Sequence, residues 1–275
     1  MRVLAHISDL HFGRIGAGVL HGLAEALRKA RPDLLVVSGD LTQRARRREF
    51  EQARAFLCAV PFPRLVVPGN HDIVSWSNPL RRWQRPFAGY TRSISQELEP
   101  VFFDGEILVA GINTVRRNTM ESGRLNQKQV ARVCERMSAT PPECVRMIVS
   151  HHPFDLPEHH RGHDVVGRAG MAMSAFARCG VDAFLSGHLH VSHIGESTLR
   201  YRISGYSALV IQAGTATSTR ARGELNSWNL IRIALPEISV ERYSWDRQSE
   251  AFALSGRDFF RRTAEGWQRA GDRAA

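Results

Sequence analysis

Lysine is nearly absent: of 37 basic residues only Lys29 and Lys128 are lysines, and all the others are arginine. So lopsided a ratio reflects coding in a GC-rich genome as much as physics. The net charge of +10 still marks a surface that attracts phosphates, nucleic acid or anionic lipid, although a solvated basic surface is the plainer reading. Cysteine is scarce too. Cys58, Cys134, Cys144 and Cys179 are scattered without a C-x-x-C pair, which speaks against a zinc knuckle or a disulfide framework and for reduced, mostly buried thiols. No apolar run approaches the ~18 residues a membrane-spanning helix needs. The first polar motif begins at Asp9, with no room before it for a secretory leader, so the expected compartment is the cytoplasm. With 43% hydrophobic and 23% charged residues, a largely disordered chain is excluded. A length of 275 residues suffices for a substantial core.

What is present is a recurring unit: a short apolar run, a polar motif, then a helical stretch. Val3 to Ile7 leads into Ser8-Asp9-Leu10-His11, and Leu34 to Val37 into Ser38-Gly39-Asp40. Leu65 to Val67 leads into Pro68-Gly69-Asn70-His71-Asp72, Val145 to Val149 into Ser150-His151-His152-Pro153, and Ala183 to Leu185 into Ser186-Gly187-His188-Leu189-His190. Helical stripes follow at Leu20, Leu23 and Leu27, and at Phe50, Ala53 and Leu57. Asn126 is placed to cap a helix carrying Val130, Val133 and Met137, and Gly170 to Arg178 reads as another helix. Residues 73–98 read as a loop or cap with an irregular helix. Phe102-Phe103 and Ile107 to Ile112 around Asp104-Gly105 read as a hairpin. From about residue 190 the texture turns strand-rich, with runs at 209–212, 230–235 and 238–243. The pattern predicts an α/β fold with two sheets packed face to face and helices outside, forming one domain over 1–250, followed by an Arg-rich tail over 251–275 that frays.

In open α/β sheets ligands bind beyond the carboxyl ends of the strands. Five converging strand ends would gather Asp9, His11, Asp40, Asn70, His71, His151, His188 and His190. Two carboxylates, an amide oxygen and several imidazoles, with no thiolate, suit Mn²⁺, Fe or Zn²⁺. Asp9/His11 and His188/His190 lie at i, i+2, which in extended backbone point the same way. Eight donors are too many for one ion and about right for two sharing a carboxylate. Two such metals clamp a phosphate ester and acidify a bound water. A lone Asp or Asn after a strand is usually a turn residue, but five coincidences in order are not explained that way.

These blocks resemble the calcineurin-like metallophosphoesterases, whose pattern is D-x-H, G-D, G-N-H-(D/E), H-x-P and G-H-x-H. Asp9-Leu10-His11, Gly39-Asp40, Gly69-Asn70-His71-Asp72, His151-His152-Pro153 and Gly187-His188-Leu189-His190 match it in order over roughly residues 1–235. The compact form of the blocks and Ala213-Gly214-Thr215-Ala216 look most like the bacterial class III cyclic-nucleotide phosphodiesterases. The resemblance implies a four-layer α/β/β/α sandwich of two mixed sheets and a centre of two divalent ions (Mn²⁺, Fe²⁺/Fe³⁺ or Zn²⁺). It assigns Asp9, His11 and His190 to one ion, Asn70, His151 and His188 to the other, and Asp40 to both. A hydroxide shared by the ions would attack phosphorus in line, with His71 beside the leaving oxygen, and Asn70 and His71 would also contact substrate. The implied reaction is hydrolysis of a small phosphodiester such as cyclic AMP, with no stable nucleic-acid partner, and homodimers occur in that branch. Alternatives are another ester (a lipid-linked nucleotide, a nucleic acid or an orphan diester) or a catalytically silent scaffold. Lipid A pathway hydrolases carry Arg where this chain has His71, and silent scaffolds lose metal ligands, none of which is missing here.

Other residues read more plainly. His6 should face away from the motif, His21 sits on a helix, His152 plays a supporting part, and His193 turns away if its strand continues. His159, His160 and His163 form a polar loop able to rim the pocket. Arg44, Arg46, Arg47 and Arg48 are either a solvated helix start or a phosphate-steering patch. Arg116 and Arg117, and the set Trp76, Trp83 and Tyr90, could meet substrate or serve packing.

Overall fold

The computed structural model describes residues 1–157, 165–219 and 223–271. The apolar runs become strands and the amphipathic stretches become helices. In chain order these are β1 (Arg2–Ile7), α1 (Val19–Ala30), β2 (Leu34–Val37), α2 (Arg47–Ala59), β3 (Arg64–Val66), two short helices α3 (Pro79–Gln84) and α4 (Ala88–Ser93), and the hairpin β4 (Val101–Phe103) and β5 (Ile107–Gly111). Then come α5 (Gln127–Ser138), β6 (Val145–Val149), α6 (Ala169–Arg178), β7 (Ala183–Ser186), β8 (His193–Glu196), β9 (Leu209–Gln212), β10 (Ser227–Ala234), β11 (Glu237–Asp246), β12 (Ala251–Thr263) and β13 (Gly266–Ala270). Asn126 caps α5 by accepting from the Gln129 N–H at 2.9 Å, and the Gln129 side chain accepts in return from the Asn126 N–H, so two N–H groups that the helix start would strand are satisfied.

One sheet has the order β13-β12-β11-β10-β1-β2-β3 and the other β4-β5-β6-β7-β9-β8. Both are mixed, with parallel pairs β1–β2, β2–β3, β5–β6, β6–β7 and β7–β9. Side chains alternate across a strand, and the cores follow. Leu4, Val36, Val109, Met147, Leu185 and Ile231 belong to a core drawn from both sheets. Ala5, Ile7, Leu35 and Val37 pack instead with Leu23 and Leu27 of α1 and Phe50 and Leu57 of α2. Leu108, Ala110 and Ile148 pack with Val130 and Val133 of α5 and Met173 and Phe176 of α6. The layers are therefore helices, sheet, sheet, helices.

The C-terminal segment departs from expectation. Residues 251–270, expected as part of a fraying tail, form β12 and β13 at the edge of the seven-stranded sheet. The reason is three aromatic anchors among the arginines. Phe252 packs edge-on against Trp245, Phe260 and Trp267 are buried in the inter-sheet core, and Trp267 Nε1 donates to Asp182 Oδ1 at 2.8 Å. Among the described residues no helix is long and apolar enough to cross a membrane.

Candidate metal centre

β1, β2 and β3 of one sheet and β6 and β7 of the other each end just before one of the polar motifs. The donors sit in the loops after the strand ends, not in extended backbone. Asp9, His11, Asp40, His188 and His190 have φ of 54°, 47°, 52°, 78° and 62°, the left-handed region that costs a non-glycine residue ~1–3 kcal/mol. Extended i, i+2 alignment, expected from the spacing, is therefore absent: Asp9 and His11 are both left-handed loop residues, and His188 and His190 separate to different partners. Glycine lets these loops crowd together. Gly39 has φ +97°, and a Cβ there would lie 2.7 Å from His151 Nδ1, while a Cβ on Gly187 would lie 2.6 Å from Asp9 Oδ2.

Two lobes result. In one, His190 Nε2 and His11 Nε2 lie 3.4 and 3.6 Å from Asp9 Oδ1, and 3.3 Å from each other. In the other, Asn70 Oδ1 lies 2.9 Å from His151 Nε2 and 3.2 Å from His188 Nδ1. Asp40 stands between them, with Oδ2 3.6 Å from His11 Nε2 and Oδ1 3.5 Å from His151 Nε2. Metal-sized clusters of donor atoms occur at Asp9/His11/His190, at Asp9/Asp40/His151, at His11/Asp40/His71 and at His151/His152/His188.

The donor set fits cations. His151 Nδ1 faces the Ser38 carbonyl at 2.8 Å, which fixes a proton on Nδ1 and turns Nε2 towards the Asn70 amide oxygen 2.9 Å away. When Nε2 carries no proton, its lone pair and the amide oxygen face each other across a space that a positive ion satisfies. Asp9 Oδ1 is buried and accepts no hydrogen bond among the described residues, which is costly for a carboxylate without a cation. Burial would raise the Asp9 carboxyl, but His190, His11 and His151 hold it well below the usual range. Asp40 is likewise lowered: burial opposes, and His151, His71 and His11 prevail. Burial first, then His151, pushes His188 down to about 3, so it presents a neutral imidazole, the form that binds metal.

Supporting groups fix the donors. The His71 N–H donates to Asp40 Oδ1 at 2.8 Å, and His71 Nδ1 lies 2.7 Å from the Gln43 carbonyl. Thr215 and Thr217 hydroxyls donate to the carbonyls of Asp9 and Leu10 at 2.8 and 2.6 Å. Asp72 ends the Gly69-Asn70-His71-Asp72 block. It accepts from the N–H groups of Leu41, Thr42 and Gly69 and from the Thr42 hydroxyl, at 3.2, 2.9, 2.9 and 2.9 Å, tying the Asp40 loop to the Asn70 loop. Burial, then the charge of Asp40, raises Asp72 to about 6. His152 lies beside His188 with ring centroids 4.6 Å apart, but its Nδ1 meets the Thr114 hydroxyl and its Nε2 the Glu121 carbonyl, each at 2.7 Å. Both nitrogens are committed to the protein, in keeping with a supporting part.

A cavity of about 620 Å³ opens beside Asn70 and His71, with Gln43, Arg44, Arg46 and Trp76 in its wall. Arg44 and Arg46 therefore face the site, whereas Arg47 pairs with Glu51 at 2.7 Å on the exposed face of α2. Arg116 is spent on Gln129 and on the carbonyls of Asn113 and Val115. Arg117 stacks on Trp83, 3.6 Å from its ring centroid. The aromatic trio divides: Trp76 lines the cavity under the Arg82 guanidinium at 4.5 Å, while Tyr90 is buried and donates to the Val66 carbonyl at 2.8 Å. His6 points between the sheets and meets Ser38 Oγ at 2.9 Å. His193 begins β8 rather than continuing β7. The loop with His159, His160 and His163 lies outside the described residues.

Comparison with known proteins bears on the whole arrangement. The chain is 41% identical over 86 residues to the glycerophosphodiester phosphodiesterase GpdQ of Enterobacter lignolyticus, a match covering 26% of this chain and 29% of that relative. The chain thus spans under a third of the length of the curated relative it matches. Among solved structures, a purple acid phosphatase from yellow lupin superposes with a TM-score of 0.73 at 10% identity, over 94% of this chain and 53% of that one. A dimetal phosphatase from Danio rerio superposes with a TM-score of 0.64 at 13% identity, over 92% and 98%. At such identities these two show a shared fold. Residues 2–192 match the family model of the calcineurin-like phosphoesterases, and with most of its length inside that match, and all five strand-end motifs on one rim, the chain belongs to that family.

Proposed function

We propose that this chain hydrolyses small phosphodiesters with two divalent metal ions, and that a cyclic nucleotide such as 3′,5′-cyclic AMP is its substrate. The observation that carries the reading is Asp40, whose two oxygens face His11 at 3.6 Å and His151 at 3.5 Å, so that one carboxylate serves both lobes. Asp9, His11 and His190 would hold one ion, and Asn70, His151 and His188 the other. The oxygen and imidazole donors suit Mn²⁺, Fe²⁺/Fe³⁺ or Zn²⁺. When bound, such a pair of ions neutralises phosphate charge and acidifies a water for in-line attack.

The chain's own residues do the rest. Asp40, anchored by the His71 N–H, fixes the spacing of the lobes. His71, with its Nδ1 proton committed to Gln43, is held beside Asp40 and Asn70, where it can stabilise or protonate a leaving oxygen. Arg44 and Arg46 place positive charge in the cavity wall, and Trp76 offers an exposed ring there on which a base can stack. A cytoplasmic setting and a homodimer belong to the same proposal.

The likeness to a glycerophosphodiester phosphodiesterase favours a second reading, in which the diester is a glycerol-linked headgroup. One screen separates the two. Purified protein loaded with Mn²⁺ is assayed against cyclic mononucleotides, glycerophosphodiesters, bis-p-nitrophenyl phosphate and phosphomonoesters. Preference for the cyclic nucleotide supports the first reading and preference for the glycerol diester the second. Failure to cleave any diester at full metal content rejects both.

A further inference from the structure

The four cysteines are scattered in sequence, yet two of them meet. Cys134 lies on α5 and Cys179 caps the C-terminus of α6, 45 residues later, with the sulfurs 2.6 Å apart as free thiols. The two sulfurs are in direct contact, the proximity that a disulfide requires. We infer that Cys134 and Cys179 form a peroxide-oxidisable dithiol, a modification site outside the donor cluster that closes to a disulfide between α5 and α6.

Three observations support it besides proximity. The pair is reachable: a groove of about 450 Å³ is lined by Gln127, Ser138, Met171, Arg178 and both cysteines. The thiols are unequal. The hydrogen bond from Cys179, aided by Arg178 and opposed by burial, lowers Cys134 below the usual thiol range, and the same bond together with burial raises Cys179. Cys134, the less buried of the two and beside Arg178, is the thiol that peroxide reaches first, and the buried Cys179 resolves it. The other two cysteines have no such partner: Cys144 donates to the Gly105 carbonyl at 2.8 Å, and Cys58 stands exposed on α2. Among the described residues no cysteine shares a metal-sized cluster with other donors, so oxidation rather than metal capture is the chemistry left to the pair.

The reaction balances. The Cys134 thiol ionises, its thiolate attacks one oxygen of hydrogen peroxide, an S–O bond forms, the O–O bond breaks, and the departing hydroxide takes up the proton released on ionisation as water. Cys179 sulfur then attacks the Cys134 sulfur. The S–S bond forms, the S–O bond breaks, and the hydroxyl leaves with the Cys179 proton as a second water. Two thiols are oxidised and one peroxide is reduced.

The test treats the full chain with hydrogen peroxide, alkylates it under denaturing conditions and reads intact mass and peptide map. The expected product is a monomer lighter by two hydrogens, with Cys58 and Cys144 alkylated and one cross-linked peptide pair joining 134 to 179. It is more resistant to denaturant until a dithiol reductant is added. In Cys179→Ser, dimedone should trap a sulfenic acid at Cys134 and the cross-link should vanish. If Cys134 and Cys179 are both alkylated at doses that oxidise the exposed Cys58, or if the cross-link involves another pair, the inference fails. The wild-type measurement decides this even if the variant does not fold.

Discussion

The backbone N–H of His71 donates to Oδ1 of Asp40 at 2.8 Å, so the carboxylate between the two lobes is aimed by the residue next to Asn70. Asp40→Asn keeps an oxygen for that bond and removes the charge that two cations would share. Losing a group that only supports a ligand costs 10–100-fold in metal affinity or activity, so losing this one should cost more than ~100-fold in turnover and lower bound metal. Metal analysis beside initial rates checks it. Full metal content with a near-normal rate would refute the shared site.

Most of the donor set was legible because each block follows an apolar run that could only be a buried strand, and Asp, Asn and His in these patterns have few other uses. How the donors converge was not legible: left-handed backbone at Asp9, His11, Asp40, His188 and His190 is a property of loops that periodicity does not report. Asp72 was visible as a residue but not as a clamp, since its partners Leu41 and Thr42 lie 31 and 30 residues away. Strands β12 and β13 at the sheet margin were hidden because half of their residues are exposed and arginine obscures the alternation. Phe260 and Trp267 were the signal, and a weak one without their partners. Arg116 and Arg117 stayed open between substrate contact and packing, because sequence does not show that carbonyls and a ring already occupy them.

Asp72→Ala should destabilise the fold around the site. Three backbone N–H groups lose their acceptor, while the Thr42 hydroxyl keeps the His71 carbonyl, and a buried donor left without a partner costs ~1–3 kcal/mol. A loss of at least ~3 kcal/mol in urea unfolding of the metal-free protein is expected. An unchanged midpoint would show that the two loops are held by other contacts.

Chelation should abolish turnover and leave the fold. The inter-sheet core and the cores under the helices are apolar and drawn from most of the strands and longer helices, so the protein does not depend on metal as a zinc finger does. Circular dichroism should be unchanged, Mn²⁺ should restore activity, and the melting temperature should rise with added metal, by the equivalent of ~2.7 kcal/mol per ion at a hundred times its dissociation constant. Global unfolding on chelation would contradict this.

His6 should make the fold sensitive to acid. It is fully buried on β1, and burial, opposed by the charge of Asp9, pushes its pKa down to about 3. In the unfolded chain it titrates near ~6.5. Between these values the unfolded state binds the extra proton, so the contribution to stability is complete above ~pH 6.5 and is lost as pH falls toward 3. At pH 5 the loss is about 2 kcal/mol. His6→Gln removes that proton and leaves the other titrations in common. Wild type should therefore lose about 2 kcal/mol more than the variant between pH 7 and pH 5 in urea unfolding. Equal losses would place the acid sensitivity elsewhere.

His71 separates leaving-group chemistry from metal binding. A carbonyl oxygen only accepts, so the 2.7 Å contact with Gln43 commits the Nδ1 proton, and in the neutral ring Nε2 has only a lone pair. Only the doubly protonated ring can then give a proton from Nε2 to a leaving oxygen. An alkoxide leaving group, such as the ribose oxygen of a cyclic nucleotide, needs that proton, whereas p-nitrophenolate leaves without it. Loss of a general acid costs ~10²–10⁴-fold. His71→Ala should therefore lower cyclic-nucleotide turnover within that range and p-nitrophenyl diester turnover far less, with bound metal unchanged. Equal losses on both substrates would restrict His71 to positioning or charge neutralisation. A fall in bound metal would make it a ligand, as its proximity to His11 and Asp40 in one metal-sized cluster allows, and the division of donors between the two lobes would then have to include it.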